Sequence, residues 1–242
     1  MKKIGLNGDY IQIKRGNGSL SFGGDQNFFQ VPEASVTDLK KKQYGCGIVA
    51  FADLLLYLGT NDEKFLIKEN IDYVKRELSE RSYKEYFNRI YDIIGGIIGN
   101  YGISGLTIWN RFNKVARRNG WKLRAKWGFS RKKLFSRIEE MLKRNIPVIL
   151  CIPMMLLKKD RDDKLALYIR RFDDKTKQYQ YQIAERTNAH YVTVTGILYE
   201  NEKKYLKVSS WGKEYYIDFE EYDTYINTHF LGKILGNILY VR

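Results

Sequence analysis

Gln43-Tyr44-Gly45-Cys46-Gly47-Ile48-Val49-Ala50 sets a cysteine between two glycines, directly before the apolar run Ile48 to Leu58. The pattern predicts a thiol at a helix N-terminus, where unpaired backbone N–H groups and the helix dipole favour thiolate, the form that attacks carbonyl carbon. Small neighbours at 45 and 47 would let a substrate backbone approach the sulfur. A buried free cysteine that only fills space is the competing reading, and a partner base decides between them. The chain has two histidines. His190 opens His190-Tyr191-Val192-Thr193-Val194-Thr195, a β-branched alternation that reads as a strand, which would hold an imidazole in a fixed place. His229 lies in a polar stretch and reads as a surface or loop residue. Cys46 with His190 is therefore the preferred pair, the imidazole taking the thiol proton and later giving it to a leaving amine.

After His190 the strand runs to Leu198, Glu200-Asn201-Glu202-Lys203 makes a turn, and Tyr205 to Val208 returns, ending in Ser209-Ser210-Trp211-Gly212. That hairpin carries the tetrapeptide back toward His190. In this order of parts the chain resembles the papain-like cysteine peptidases, and most closely the bacterial peptidases that remove double-glycine leaders from bacteriocins. The resemblance covers roughly residues 40 to 220. It rests on Gly45-Cys46-Gly47, on Gly105-Leu106-Thr107 opening a later helix, on Ile146-Pro147-Val148-Ile149-Leu150, on Ala189-His190-Tyr191-Val192 and on Ser210-Trp211-Gly212.

What the resemblance implies is a cysteine peptidase in which Cys46 is the nucleophile and His190 the base. Where the family carries Asn or Asp to orient the imidazole, this chain has Ser209, an uncharged and shorter acceptor. A backbone carbonyl or Asp218 is the alternative orienter. The family's oxyanion-hole glutamine falls on Lys40, so Gln43 is the nearby candidate, and a solvent-facing residue is its other reading. A small residue such as glycine before the scissile bond would be the implied preference. Hydrolysis and acyl transfer to an amine use the same residues.

At 242 residues the chain suits one domain with a core that needs no disulfide staples. Cys151 sits inside the apolar run Pro147 to Met155 and reads as a buried strand residue; a Cys46–Cys151 disulfide would disable the nucleophile. Met1-Lys2-Lys3 is followed by Ile4-Gly5-Leu6-Asn7-Gly8-Asp9, which carries no signal-peptide core, and no run has the length of a membrane span, so a cytoplasmic protein is expected. Two histidines and two cysteines lack zinc-site spacing, and the glycines form no phosphate loop, so neither metal nor cofactor is expected.

Residues 1–35 read as an N-terminal arm or hairpin, 36–160 as a mainly helical half carrying the cysteine, and 161–242 as a mainly antiparallel sheet half carrying the histidine. Cys46 to Leu58 is apolar nearly all round, as in a central helix. Ile67, Ile71, Val74 and Leu78, then Tyr86, Ile90 and Ile94, fall at helical spacing, and 95–102 reads as a flexible loop. Asp218 and Glu221 form a capping-box pattern, and Ser130 reads as the cap of a helix bearing Leu134, Ile138 and Met141. The expected fold is α+β, a single papain-like domain over 1–242 with the cleft between its halves.

The net charge is +14. Between Arg111 and Arg144, thirteen Lys and Arg face only Glu139 and Glu140, a local excess of +11. A solvated surface and an electropositive patch for an acidic peptide, nucleic acid or anionic membrane are the two readings. The leading expectation is a thiol hydrolase acting on a peptide or protein substrate. A peptide-binding relative with an impaired triad, and a nucleic-acid-binding protein using 111–144, are the alternatives.

Overall fold

The structure is a computed structural model and describes every residue except 1, 31, 76, 98, 100, 101, 130, 154–163 and 229–235. His229 and Ser130 therefore lie outside the described residues. From the N-terminus, β1 (Lys2–Gly5), β2 (Gln12–Lys14) and β3 (Leu20–Phe22) lead to a 3-10 turn over Gln26–Phe29, then α1 (Val36–Tyr44) and α2 (Cys46–Asn61). Next come β4 (Glu77–Ser79), α3 (Glu80–Ile94), α4 (Gly105–Arg118), β5 (Ala125–Trp127), α5 (Leu134–Lys143) and β6 (Val148–Ile152). The chain continues through β7 (Leu165–Asp173), β8 (Gln178–Thr187), β9 (His190–Glu200), β10 (Lys203–Ser210), β11 (Lys213–Asp218), α6 (Phe219–Asn227) and β12 (Ile238–Val241).

Most strands join one sheet in the order β5-β12-β6-β9-β10-β11-β7-β8, and every pairing in it is antiparallel. One edge of β9 is shared: β6 pairs with residues 190–194 and β1 with residues 196–199. The sheet thus draws strands from all three segments of the chain, whereas the sequence suggested a helical half facing a separate sheet half. A small second sheet, β3-β2-β4, joins the N-terminal segment to the strand before α3. The first 35 residues are consequently built into the body of the protein; alternating Ile11 and Ile13 are fully buried, which an arm would not achieve.

Helix α2 lies in the centre. Ile48, Phe51, Leu54, Leu55 and Leu56 are all sealed from solvent, and the helix packs directly on β9. A helix apolar all round is stable only when covered on every side, and here α3, β6 and β9 supply the cover. Residues 62–79 depart from the expected helix. They form 3-10 turns at Glu63–Phe65 and Ile71–Tyr73 and then β4. The buried Asn70 accounts for the break: its Oδ1 accepts from the Ile67 N–H, a group that a helix would have bonded internally, and its Nδ2 donates to the Leu55 carbonyl, fastening the turn to α2.

The turns that matter most lie around β10. Asn201 and Glu202 both have positive φ, joining β9 to β10 at the register Glu200 opposite Lys203. Trp211 and Gly212 repeat the device between β10 and β11, with Ser210 opposite Lys213. Asp218 caps α6, its Oδ1 accepting from the Glu220 and Glu221 N–H groups, while its other oxygen pairs with Lys203 at 2.7 Å. It is thereby committed to the cap, far from an orienting role.

Candidate active site

Cys46 is the first residue of α2, and Gly45 is the hinge between α1 and α2. The glycines on either side are packing residues. A Cβ on Gly45 would strike the Lys41 carbonyl oxygen, and one on Gly47 would lie 2.8 Å from Ile103 Cγ1 and 3.0 Å from Tyr191 Cδ2. Their small size lets α2 sit against its neighbours. Cys46 and Cys151 are both free thiols.

His190 begins β9 after Ala189, whose φ is +49°, and it is 6 % exposed. Its ring stacks on Trp211 at 4.3 Å with planes 19° apart. Nε2 lies 2.8 Å from Ser210 Oγ. The β10–β11 turn accounts for both contacts, since the left-handed backbone of Trp211 folds the indole back over the histidine that β10 has just passed.

Cys46, His190, Ser209, Ser210, Trp211, Gln26 and Asp53 all border one small cavity. Ser209 does not hold the imidazole: its hydroxyl donates to the Phe22 carbonyl at 2.6 Å. Neighbouring residues of a strand face opposite ways, so the register that sends Ser209 to the N-terminal segment sends Ser210 to His190. Gln43 is exposed on the last turn of α1 and does not border the cavity. Gln26 does, carried there by the segment after β3.

That segment is laced to both sides of the site. The Phe22 N–H donates to the Gly212 carbonyl at 2.8 Å, and the Gly212 N–H donates to the Gly24 carbonyl at 3.1 Å. The Gly24 N–H donates to Asp53 Oδ2 at 2.9 Å. Asp53, two turns beyond Cys46 on α2, also accepts from Tyr83 at 2.6 Å and Tyr10 at 3.2 Å. Gly23 has φ +76°, and a Cβ there would meet Ser209 Oγ, so this close crossing requires glycine.

Electrostatically the two candidate reactive groups, Cys46 and His190, rest uncharged. Burial lowers the His190 pKa from 6.5 to about 3, which leaves the imidazole uncharged at neutral pH. Burial also pushes the Cys46 thiol up, against the downward pull of the backbone N–H groups of Tyr191, Gly47 and Cys46 itself. The helix N-terminus alone suggested a depressed thiol, but desolvation outweighs it here. Cys151 is raised further, to about 12, and sits opposite Tyr191 on β6. Asp53 is raised to about 6 by burial, opposed by its three hydrogen bonds. The resting pair is thus thiol beside neutral imidazole, each bordering the same cavity.

A family model described as the Peptidase_C39 like family matches residues 27–231. The chain belongs to the Peptidase_C39-like family. No curated protein and no solved structure matches it. The matched span takes in Cys46, His190 and the serine pair of this C39-like protein, and it begins one residue after Gln26. Membership supports a peptidase at the family level and a papain-like, bacteriocin-processing kinship. No helix among the described residues is long and apolar enough to cross a membrane.

Three residues of the site were not singled out from sequence. Asp53 did leave a signal, as the lone acid inside the apolar run 48–58. Ser210 differs from Ser209 only by strand phase, which requires the register of β10 against β9. Gln26 lies 20 positions before Cys46, with nothing local to connect them.

Proposed function

We propose that this C39-like protein is a cysteine peptidase in which Cys46 attacks a peptide carbonyl and His190 manages the proton. The observation that carries the reading is the shared cavity: the first residue of the buried helix and the first residue of the central strand meet there in a peptidase family. With Nε2 engaged by Ser210, Nδ1 is the ring's remaining position for the thiol proton. Sγ bonds to the carbonyl carbon as Nδ1 takes that proton, and the carbonyl oxygen becomes an oxyanion. The amide nitrogen then leaves with the proton from His190, giving a thioester. Water, deprotonated by His190, releases the acid and restores the thiol.

A neutral resting pair suits a general-base attack, in which proton transfer accompanies bond formation instead of preceding it. Ser210 fixes the ring and is the orienting residue, in the role the sequence suggested for Ser209. The Gln26 side-chain amide and the Cys46 N–H are the donors we assign to the oxyanion, in place of Gln43. Trp211 shields the imidazole on one face, which keeps its hydrogen bond to Ser210 away from water.

The test is cleavage of a diverse peptide mixture followed by mass spectrometry. New termini are expected with the unaltered chain and none with Cys46→Ala or His190→Ala. Termini that persist in both variants would remove the pair from the reaction. If the unaltered chain cleaves nothing yet retains peptides, the cavity serves binding alone, a reading that the raised thiol and the serine orienter would then explain.

A further inference from the structure

A cavity of about 810 Å³ opens at the other end of α2, beside Asn61. Asn61 is the last and Cys46 the first residue of the 16-residue helix, about 22 Å apart at the usual rise. The volume lies within the range that holds small ligands or peptide side chains. Its apolar wall is made by Phe65, Trp121 and Ile146, with the Phe65 and Trp121 rings meeting edge-on at 5.2 Å.

The rim is basic. Lys64, Lys122 and Arg144 border the cavity, and Asp62 is the acid among the lining residues. Asp62 is paired with Lys64. Arg144 Nη1 donates to the Val241 carbonyl at 3.3 Å, and among the described residues neither Arg144 nor exposed Lys122 has an acidic partner. Two cations of the basic 111–144 segment, Lys122 and Arg144, thus line the cavity, and Arg117 and Arg118 end α4 just before the Asn119-Gly120 turn that lines the opening. That turn is open: a Cβ on Gly120 would meet nothing within 4 Å.

Three asparagines also line the cavity, each tied into the fold at one end of its amide. Asn61 Nδ2 donates to the Tyr57 carbonyl, Asn119 Nδ2 donates to the Val115 carbonyl, and Asn145 Oδ1 accepts from Tyr57 and the Asn7 N–H. The other ends, two acceptors and one donor, are suited to the backbone of an extended chain. Nucleic acid would be met by rows of cations along a surface, whereas here amides and an apolar wall sit behind the cations.

We propose that this cavity is a second binding site, taking an acidic segment of the polypeptide substrate that carries an apolar side chain. Identifying the segment with the substrate rests on the peptidase reading; the binding itself does not. An extended chain covers the distance to Cys46 in roughly seven residues at about 3.3 Å each, so the acidic segment lies at least that far from the scissile bond.

The experiment uses the full chain bearing Cys46→Ala, which separates binding from catalysis. A fluorescein-labelled glutamate-rich peptide with one phenylalanine is titrated by anisotropy, beside its glutamine counterpart and a labelled oligothymidylate. We expect saturable binding of the glutamate peptide that quenches or shifts indole emission, a response lost in Trp121→Phe. Affinity should fall at least about tenfold in Lys122→Glu combined with Arg144→Gln, equivalent to 1.4 kcal/mol or more. Lys122→Glu alone, at an exposed residue with no ion-pair partner among the described residues, should weaken binding in a protein of unchanged thermal stability. Equal binding of the glutamine peptide, or no effect of Lys122→Glu, would overturn the proposal. Tighter binding of the oligothymidylate than of the peptide would overturn it too, assigning the basic face to nucleic acid.

Discussion

Ser210 and Gln26 make the sharpest claims, because each displaces a neighbour that sequence alone favoured. If Ser210 orients His190, Ser210→Ala should lower kcat by roughly 10- to 100-fold with little change in KM, as outer partners of a working imidazole typically do. Ser210→Asn should retain more activity than the alanine variant, since an amide oxygen can accept the same proton. Ser209→Asn should give no gain, because its hydroxyl serves the Phe22 carbonyl. Gln26→Ala should cost on the order of 100-fold in kcat if its amide meets the oxyanion, and exposed Gln43→Ala should be silent. Steady-state kinetics on any peptide that is cleaved measure all five. At this scale the sequence revealed residue types well: Cys46 and His190 stood out by scarcity and setting. It did not reveal strand phase, and phase decides between two adjacent serines.

Among the elements, the segment from Gly23 to Gln26 is the one whose integrity the site most depends on. It is bound to α2 through Asp53 and to the β10–β11 turn through Gly212, so it holds the two walls of the cavity together. A Cβ on Gly24 would run into the Tyr83 hydroxyl that holds Asp53. Gly24→Ala should therefore destabilise the fold by about 2 kcal/mol, read from thermal or denaturant unfolding, and lower activity in the remaining folded protein. A similar stability for Gly24→Ala would show that the segment yields freely. Local pattern made several elements legible: the β9–β10 hairpin and the Asp218 cap both follow from spacing within a few residues. The N-terminal strands were not legible as part of the body, because β1 pairs with β9 nearly 200 residues away and the β2–β3 hairpin is held by β4 and packs on β11. Residues 62–79 misled because a single buried asparagine, Asn70, redirects the backbone away from the helix that their apolar spacing suggests.

For the molecule as a whole, two buried titrating groups set opposite slopes of stability against pH. His190 has its folded pKa near 3, below the ordinary 6.5, so the unfolded chain binds the extra proton between those values and stability rises with pH across that window. Asp53 has its folded pKa near 6, above the ordinary 3.8, so the folded chain holds the extra proton and stability falls as pH rises from about 4 to 6. Where the windows overlap the slopes oppose each other. Asp53→Asn should remove the falling component, leaving denaturant-derived stability that rises more steeply between pH 4 and 6 than in the unaltered chain; parallel curves would contradict the assignment. The sheet that carries His190 takes strands from the beginning, middle and end of the chain, which is why the division into a helical and a sheet half did not describe it.

The central claim, a Cys46 nucleophile served by His190, is tested most directly by covalent trapping with a peptide vinyl sulfone, followed by intact-mass and peptide mapping. We expect a single adduct on Cys46, formation slowed at least about tenfold in His190→Ala, and no adduct on Cys151, whose thiol burial holds near pKa 12. Labelling of Cys151 in preference to Cys46, or a Cys46 rate indifferent to His190→Ala, would contradict it.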